Sequence, residues 1–204
     1  MRTIIAAAAA IFHATTHAAP PPACPQYASE LRTMVSVDQS LRIRWELGQP
    51  SFHNGPTPRI VEQTNLIDRR NTERLKQLVR ACGWPAKSVH GKEAVNDAWL
   101  LAQHADHDRA FQHSVLRRLE QAVAAGEAPG GHLAYLSDRL SVAAGKPQLY
   151  GTQLEFKPPC GVDFFALDAR DRVEQRRKAV DLPPLEDYRK QVLREALPPS
   201  CHLQ

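Results

Sequence analysis

The chain has 204 residues, of which 43% are hydrophobic and 24% are charged, so its size and composition fit one globular domain. This composition excludes collagen-like, coiled-coil and low-complexity proteins. The formal net charge of +4 is dispersed along the chain, so we do not expect the protein to bind nucleic acid. Motifs for nucleotide, dinucleotide, serine-hydrolase and zinc-protease chemistry are absent, and we expect the protein to need no cofactor.

The N-terminus has the three parts of a secretory signal peptide. Arg2 supplies a positive charge, residues 4–12 form a short apolar run, and Thr16 and Ala18 offer small side chains at the −3 and −1 positions of a cleavage site. We therefore predict that residues 1–18 are a signal peptide, that the mature chain begins near Ala19, and that the protein is periplasmic or secreted. No other apolar run approaches the length of a membrane span, so we expect none.

Export to an oxidising compartment would allow the four cysteines to form disulfides. Cys24, Cys82, Cys160 and Cys201 allow three pairings, and the sequence does not separate them. One pairing joins Cys24 to Cys82, which would tie the N-terminus to the end of the second predicted helix, and Cys160 to Cys201, which would tie down the C-terminus. The wide spacings contain no metal-ligand pair, so we do not expect zinc bound by cysteine.

Hydrophobic periodicity predicts a mainly α protein with one helical domain over residues 19–204. The four main helices are predicted at residues 26–47, 58–82, 92–125 and 130–144. Two segments of alternating residues are predicted to pair as a small β-hairpin, at residues 148–156 and 162–167. Two short helices are predicted to follow, at residues 172–179 and 185–197.

The third predicted helix carries polar residues in the middle of its apolar face. His104, Asp108 and Gln112 are spaced four residues apart, so on one continuous helix they form a single stripe where a core would place Leu or Ala. The same helical geometry points Asp106 the other way. We therefore predict that these three side chains face a polar pocket inside the domain.

The first and second predicted helices also bring polar groups inward, with Asp38 and Arg42 on one and Asp68 and Asn71 on the other. Unpaired buried carboxylates are costly, so these groups should pair with each other, with His104, or with a ligand. The spacing of His104 and Asp108 also suits a metal site completed by Asp38 or Asp68, but a second inward histidine is missing, so we favour a site without metal.

Several short motifs follow one another from residue 83 onward. They are GWP at 83–85, HADHD at 104–108, LSDR at 136–139 and QLYGTQ at 148–153. These motifs resemble those of an uncharacterised bacterial family of unknown function, whose members often also carry an RR pair and a PLxxY ending, here at 176–177 and 184–188. The resemblance covers roughly residues 30–190 and implies no assigned activity. The cysteines are not part of the family pattern.

The QLYGTQ motif is predicted as an extended strand, on which Gln148, Tyr150 and Thr152 share one face. Gly151 between them would let a backbone or a ligand approach closely. Arg139 of the LSDR motif either pairs with its neighbour or reaches the polar stripe. The substrate-binding candidates are therefore Gln112, Arg139, Gln148, Tyr150 and Gln153.

Two functional hypotheses follow. In the first, the protein is a cofactor-free hydrolase or lyase that acts on an envelope component; His104 is the general acid or base, Asp108 orients its imidazole, and Asp38 is a second carboxylate. In the second, the protein is a non-catalytic periplasmic binding, inhibitor or immunity protein, and the polar residues form a fixed network. The partner is a small-molecule or envelope substrate in the first case and a protein in the second. The oligomeric state stays open.

Overall fold

The computed structural model of the protein describes residues 24–47, 58–157 and 160–196. This part of the chain is mainly helical with one small antiparallel hairpin, as predicted, but it contains seven helices, where the sequence predicts four main helices and two short ones. No helix within these ranges is long and apolar enough to cross a membrane. The predicted signal peptide and Cys201 lie outside the described residues.

The helices and strands follow one another along the chain with short connections. The helices are α1 (Tyr27–Leu47), α2 (Pro58–Cys82), α3 (Lys87–Gln103), α4 (Arg109–Ala124), α5 (Gly130–Ala143), α6 (Arg170–Ala179) and α7 (Leu185–Ala196). The strands are β1 (Leu154–Lys157) and β2 (Gly161–Phe164), and Leu154 pairs with Phe164. The hairpin is shorter than predicted, because residues 148–153 form a loop rather than a strand.

The third predicted helix is in fact two helices. The chain leaves α3 at His104 and turns before α4 begins at Arg109. Asp108 is the N-cap of α4, and its carboxylate accepts a hydrogen bond of 2.9 Å from the backbone N–H of Phe111. The prediction that His104, Asp108 and Gln112 form one helical stripe is therefore wrong, because a capped helix start interrupts the apolar periodicity that runs on both sides of it.

Helices α1, α2 and α3 pack against one another, and α4 packs against α5. Their shared core contains fully buried aliphatic side chains, including Leu31, Leu75, Leu101, Leu119 and Leu136. This packing places the middle of α1 and the middle of α2 beside the C-terminal end of α3, so the polar residues at those three places face each other.

A disulfide between Cys24 and Cys82 joins the start of α1 to the end of α2. The Tyr27 hydroxyl also links the start of α1 to the end of α2, because it donates a 3.0 Å hydrogen bond to the carbonyl oxygen of Gly83. This disulfide belongs to one of the pairings that the sequence allows. Cys160 is disulfide-bonded too, and its pairing with Cys201 stays a prediction.

Candidate functional site

Asp38 and His104 form the centre of the candidate site. Asp38 lies in the middle of α1 with a side chain only 1% exposed, whereas His104 is the first residue after α3. The His104 Nδ1 atom lies 3.1 Å from Oδ1 and 3.0 Å from Oδ2 of Asp38. The His104 side chain is 16% exposed, so the imidazole is held by Asp38 and part of the ring remains reachable from solvent.

Arg42 connects this pair to α2. It follows Asp38 by one helical turn, so both side chains leave the same face of α1. Its Nη2 atom donates to Asp68 Oδ1 at 2.6 Å and to Asp38 Oδ1 at 3.2 Å. The amide of Gln39 donates a further hydrogen bond of 2.7 Å to Asp38. Three helices thus meet through one charged network, which agrees with the expectation that the inward groups pair with each other for Asp38, Arg42, Asp68 and His104. Asn71 does not follow it, because its Nδ2 atom is buried without a partner among the described residues.

The network keeps Asp38 ionised. Burial disfavours its charged form, but the hydrogen bonds and charges of His104 and Arg42 outweigh burial and lower the pKa of Asp38 to about 2. For Asp68, burial outweighs the attraction of Arg42 and raises the pKa. At neutral pH Asp38 is therefore a hydrogen-bond acceptor only, so the His104 Nδ1 atom must be the donor.

A cavity of about 360 Å³ opens beside His104. Its walls come from α1, α2, the turn after α3, and α5, and they include Arg42, Asp68, Arg69, His104, Asp106 and Arg139. The second imidazole nitrogen of His104, Nε2, has no hydrogen-bond partner among the described residues. The ring that Asp38 fixes thus borders the cavity and keeps one nitrogen without a partner in the described part of the chain.

The wall opposite α2 is built around Asp106. Arg139 binds both oxygens of this carboxylate, and Arg109 donates to Oδ1 at 2.9 Å. Of the predicted substrate-binding residues, Arg139 thus lines the cavity. Gln112 is instead fully buried, and its amide donates to the carbonyl oxygens of Ala102 and Gln103, so it fastens the turn between α3 and α4.

Asp108 does not contact His104 in this arrangement. Besides capping α4, its carboxylate forms an ion pair with Lys76 of α2, with Nζ 2.5 Å from Oδ2. It lines a second cavity of about 320 Å³ between α2 and α4, together with Arg80 and Arg118. The carboxylate that holds the imidazole is Asp38, one helix away, rather than Asp108.

The QLYGTQ motif lies in a loop held by Asp138. This buried carboxylate accepts hydrogen bonds from the backbone N–H groups of Leu149, Tyr150 and Thr152 and from the Thr152 hydroxyl. Gln148 is buried too, and its amide donates to the carbonyl oxygens of Gln153 and Phe165. None of the predicted binding residues Gln148, Tyr150 and Gln153 is among the described residues that line the His104 cavity.

The RR pair also serves this loop. Arg177 is buried and donates to the carbonyl oxygens of Tyr150, Gly151 and Pro183, and its guanidinium lies 5.1 Å from the centre of the Tyr188 ring. The Tyr188 hydroxyl donates to the carbonyl oxygen of Thr152 at 3.0 Å. The family-like motifs at 176–177 and 184–188 therefore dock α6 and α7 onto the loop.

A divalent cation is the alternative occupant of the site. Asp38, Asp68 and His104 each offer a ligand atom, and these atoms lie within 4.8 Å of one another. Arg42 already bridges the two carboxylates, so a cation binding there would have to displace a guanidinium that donates to both.

Sequence reasoning missed Arg69, Asp106 and His107, which line the cavity. A continuous helix points Asp106 outward, whereas the observed turn brings it to the wall. An N-cap signal was available in the sequence, because Asp108 precedes the apolar residue Phe111 by three positions. Recognising that helix start would have moved Asp106 and His107 onto a turn beside His104.

Comparison with known proteins identifies the family but no activity. No curated protein and no solved structure matches the chain. A family of unknown function, DUF6624, matches residues 25–197, which include every helix described above. The chain therefore belongs to the DUF6624 family of unknown function.

Proposed function

We propose that the His104 cavity is the active site of an acid–base enzyme, a hydrolase or a lyase, with His104 as the general base. The observation that carries this proposal is the difference in environment between the two nitrogen atoms of the His104 ring. Nδ1 is bonded to a buried, ionised carboxylate, while Nε2 has no partner among the described residues and the ring borders a cavity. A histidine that only stabilises the fold has no need of a reachable nitrogen.

Asp38 prepares His104 to accept a proton. Because Nδ1 donates to Asp38, the neutral ring carries its lone pair on Nε2, the nitrogen that is available to the cavity. When Nε2 takes a proton, the imidazolium stands 3.0 Å from a carboxylate that stabilises its positive charge. Arg42 and Gln39 hold Asp38 in this position and are not themselves required to exchange protons.

Either of two proton transfers fits this geometry. His104 can remove a proton from a water molecule that attacks the substrate, which gives hydrolysis, or from the substrate itself, which gives elimination. In both cases the protonated ring returns the proton to the leaving group. The Cys24–Cys82 disulfide and the predicted signal peptide support an extracytoplasmic substrate such as an envelope component.

The decisive experiment compares the wild-type mature protein with His104→Asn on a panel of esters, amides, phosphoesters and glycosides. Asparagine can keep the hydrogen bond to Asp38, but it has no atom in place of Nε2. We expect at least one substrate class to be turned over, with a rate about 100-fold or more lower in the variant. His113→Asn on the exposed side of α4 is the matched control and should keep full activity.

The second candidate is a binding or inhibitor protein. It is favoured by the saturation of the site's carboxylates by arginines, which is how a purely structural network is built. In that case the wild-type protein turns over no substrate of the panel, and His104→Asn lowers the free energy of unfolding instead. A turnover rate equal in the wild-type protein and in His104→Asn would also contradict the catalytic role.

A further inference from the structure

We infer that the His104 cavity binds an anionic oxygen group, a carboxylate or a phosphate, and that Arg69 is the residue that positions it. Identifying this ligand as the substrate rests on the function proposed above; the anion site itself does not. The charges of the cavity that are not already neutralised decide which ligand it favours.

All the carboxylates at the cavity have arginine partners. Asp38 and Asp68 share Arg42, and Asp106 is bound by Arg139 and Arg109. Asp38 and Asp106 each accept several hydrogen bonds, and Asp68 accepts one from Arg42, so most of the carboxylate charge at the cavity is already balanced by arginine. Of the three arginines in its walls, Arg42 and Arg139 are likewise committed to carboxylates.

Arg69 is the exception among the described lining residues, because no carboxylate there pairs with it. Asn65 precedes it by one helical turn on α2, so the amide and the guanidinium stand on one side of the helix and both border the cavity. Thr64 also lies in this wall, with a buried hydroxyl that has no hydrogen-bond partner within the described ranges. The Arg69 guanidinium offers donors only, and the Asn65 amide and the Thr64 hydroxyl can each donate as well. A positively charged donor flanked by two further donors favours an acceptor-rich, anionic ligand.

A shared cavity connects Arg69 to His104. Both side chains line the same space of about 360 Å³. An anionic group bound at Arg69 therefore leaves the rest of the same molecule within the cavity that the His104 ring borders. Arg69 does not take part in proton transfer, so we assign it a positioning role.

The test titrates the mature protein with inorganic phosphate and, separately, with acetate, following binding by calorimetry and by the His104 ring C–H signals in NMR spectra. We expect binding that shifts the His104 signals, and the tighter of the two probes identifies the class of anion. Arg69→Gln should weaken this binding about 10- to 100-fold. Arg70→Gln is the matched control, because the neighbouring arginine is exposed and lies outside the lining residues.

The second cavity provides the competing explanation, since Arg80 and Arg118 border it. If Arg118→Gln abolishes anion binding and Arg69→Gln does not, the inference is overturned, as it is if neither probe binds. The outcome also separates the two proposals. Loss of turnover in His104→Asn with unchanged anion binding in Arg69→Gln keeps the enzyme and rejects the anion site. Weaker anion binding in Arg69→Gln with normal turnover in His104→Asn keeps the anion site and rejects the catalytic role of His104.

Discussion

The Nδ1 atom of His104 lies 3.0 Å from Oδ2 of Asp38, although 66 residues separate them along the chain. This contact joins the end of α3 to the middle of α1. Arg42 extends it to Asp68 of α2, so a single network fixes the relative positions of three helices. The same carboxylate that orients the imidazole is therefore also part of what stabilises the fold.

Replacing Asp38 by Ala should destabilise the protein strongly. The change leaves Arg42 with one carboxylate instead of two and leaves His104 without its partner, and breaking a buried ion pair costs about 3–5 kcal/mol. The measurement is the free energy of unfolding from urea titration. Asp171→Ala, at an exposed position of α6, is the control and should change stability by less than about 0.5 kcal/mol. Equal effects in the two variants would show that the network contributes no stability.

The convergence of Asp38, Asp68 and His104 was predictable because each residue lies on the apolar side of a long amphipathic segment. Periodicity says which side chains point inward, and inward side chains of neighbouring helices meet. The walls of the cavity were not predictable in this way. Asp106 reaches the site only through the turn that begins at His104 and ends at Asp108, and a helical projection carried through that turn gives the wrong direction for the residues in it and after it.

The QLYGTQ loop shows a second limit of predicting structure from sequence periodicity. The alternation of Gln148, Tyr150 and Thr152 is typical of a strand. In the structure, however, the Asp138 carboxylate accepts hydrogen bonds from backbone N–H groups that would otherwise donate to a neighbouring strand. A single buried carboxylate, distant in sequence, thus decides the local structure. Local periodicity carries no information about such a partner, so the assignment of these residues to the His104 pocket had no geometric basis.

The Cys24–Cys82 disulfide should contribute several kcal/mol to stability. It closes a segment with a sequence separation of 58 residues, and the loss of chain entropy in the unfolded state predicts about 4 kcal/mol for a loop of that length. Changing both cysteines to Ala should lower the guanidinium concentration at the midpoint of unfolding. The slope of the unfolding free energy against guanidinium concentration reports any change in the unfolded state. The double variant leaves Cys160 untouched, which plain reduction would not. A loss below about 1 kcal/mol would show that the ends of α1 and α2 are held by packing alone.

His132 should make the protein less stable in mild acid. Burial lowers its pKa to about 4, so in the folded protein the ring stays neutral, while in the unfolded chain it takes up a proton below its ordinary pKa of about 6.5. Unfolding therefore becomes more favourable as the pH falls from about 6.5 to 4, by about 3 kcal/mol, and the loss levels off below that range.

The variant His132→Phe tests this pH dependence. Phenylalanine can keep the stacking on Trp99, whose ring centre is 4.4 Å away, and no hydrogen bond is lost at Nδ1, which has no partner in the described part of the chain. Between pH 6.5 and 4 the wild-type protein should lose about 3 kcal/mol relative to the variant. Above pH 7 the difference between the two should not depend on pH. Parallel pH profiles throughout would mean that His132 takes up its proton in the folded state as well.

Gly151 tests how tightly the QLYGTQ loop is packed on α7. Its φ of +66° lies in the left-handed region, and a Cβ there would lie 2.5 Å from Cδ2 of Leu185 and 3.1 Å from Cδ2 of Leu167. Leu185 is fully buried, so its methyl group cannot move aside without disturbing the contact between the loop and α7.

Gly145 offers the matched control, because its φ is +65° and a Cβ would meet nothing within 4 Å. Both changes to Ala carry the left-handed penalty of about 1–2 kcal/mol, and Gly151→Ala should cost about 2 kcal/mol more in urea unfolding because only it creates the clash. Equal losses in the two variants would show that Leu185 relaxes freely, and that the loop and α7 are coupled only through Arg177 and Tyr188.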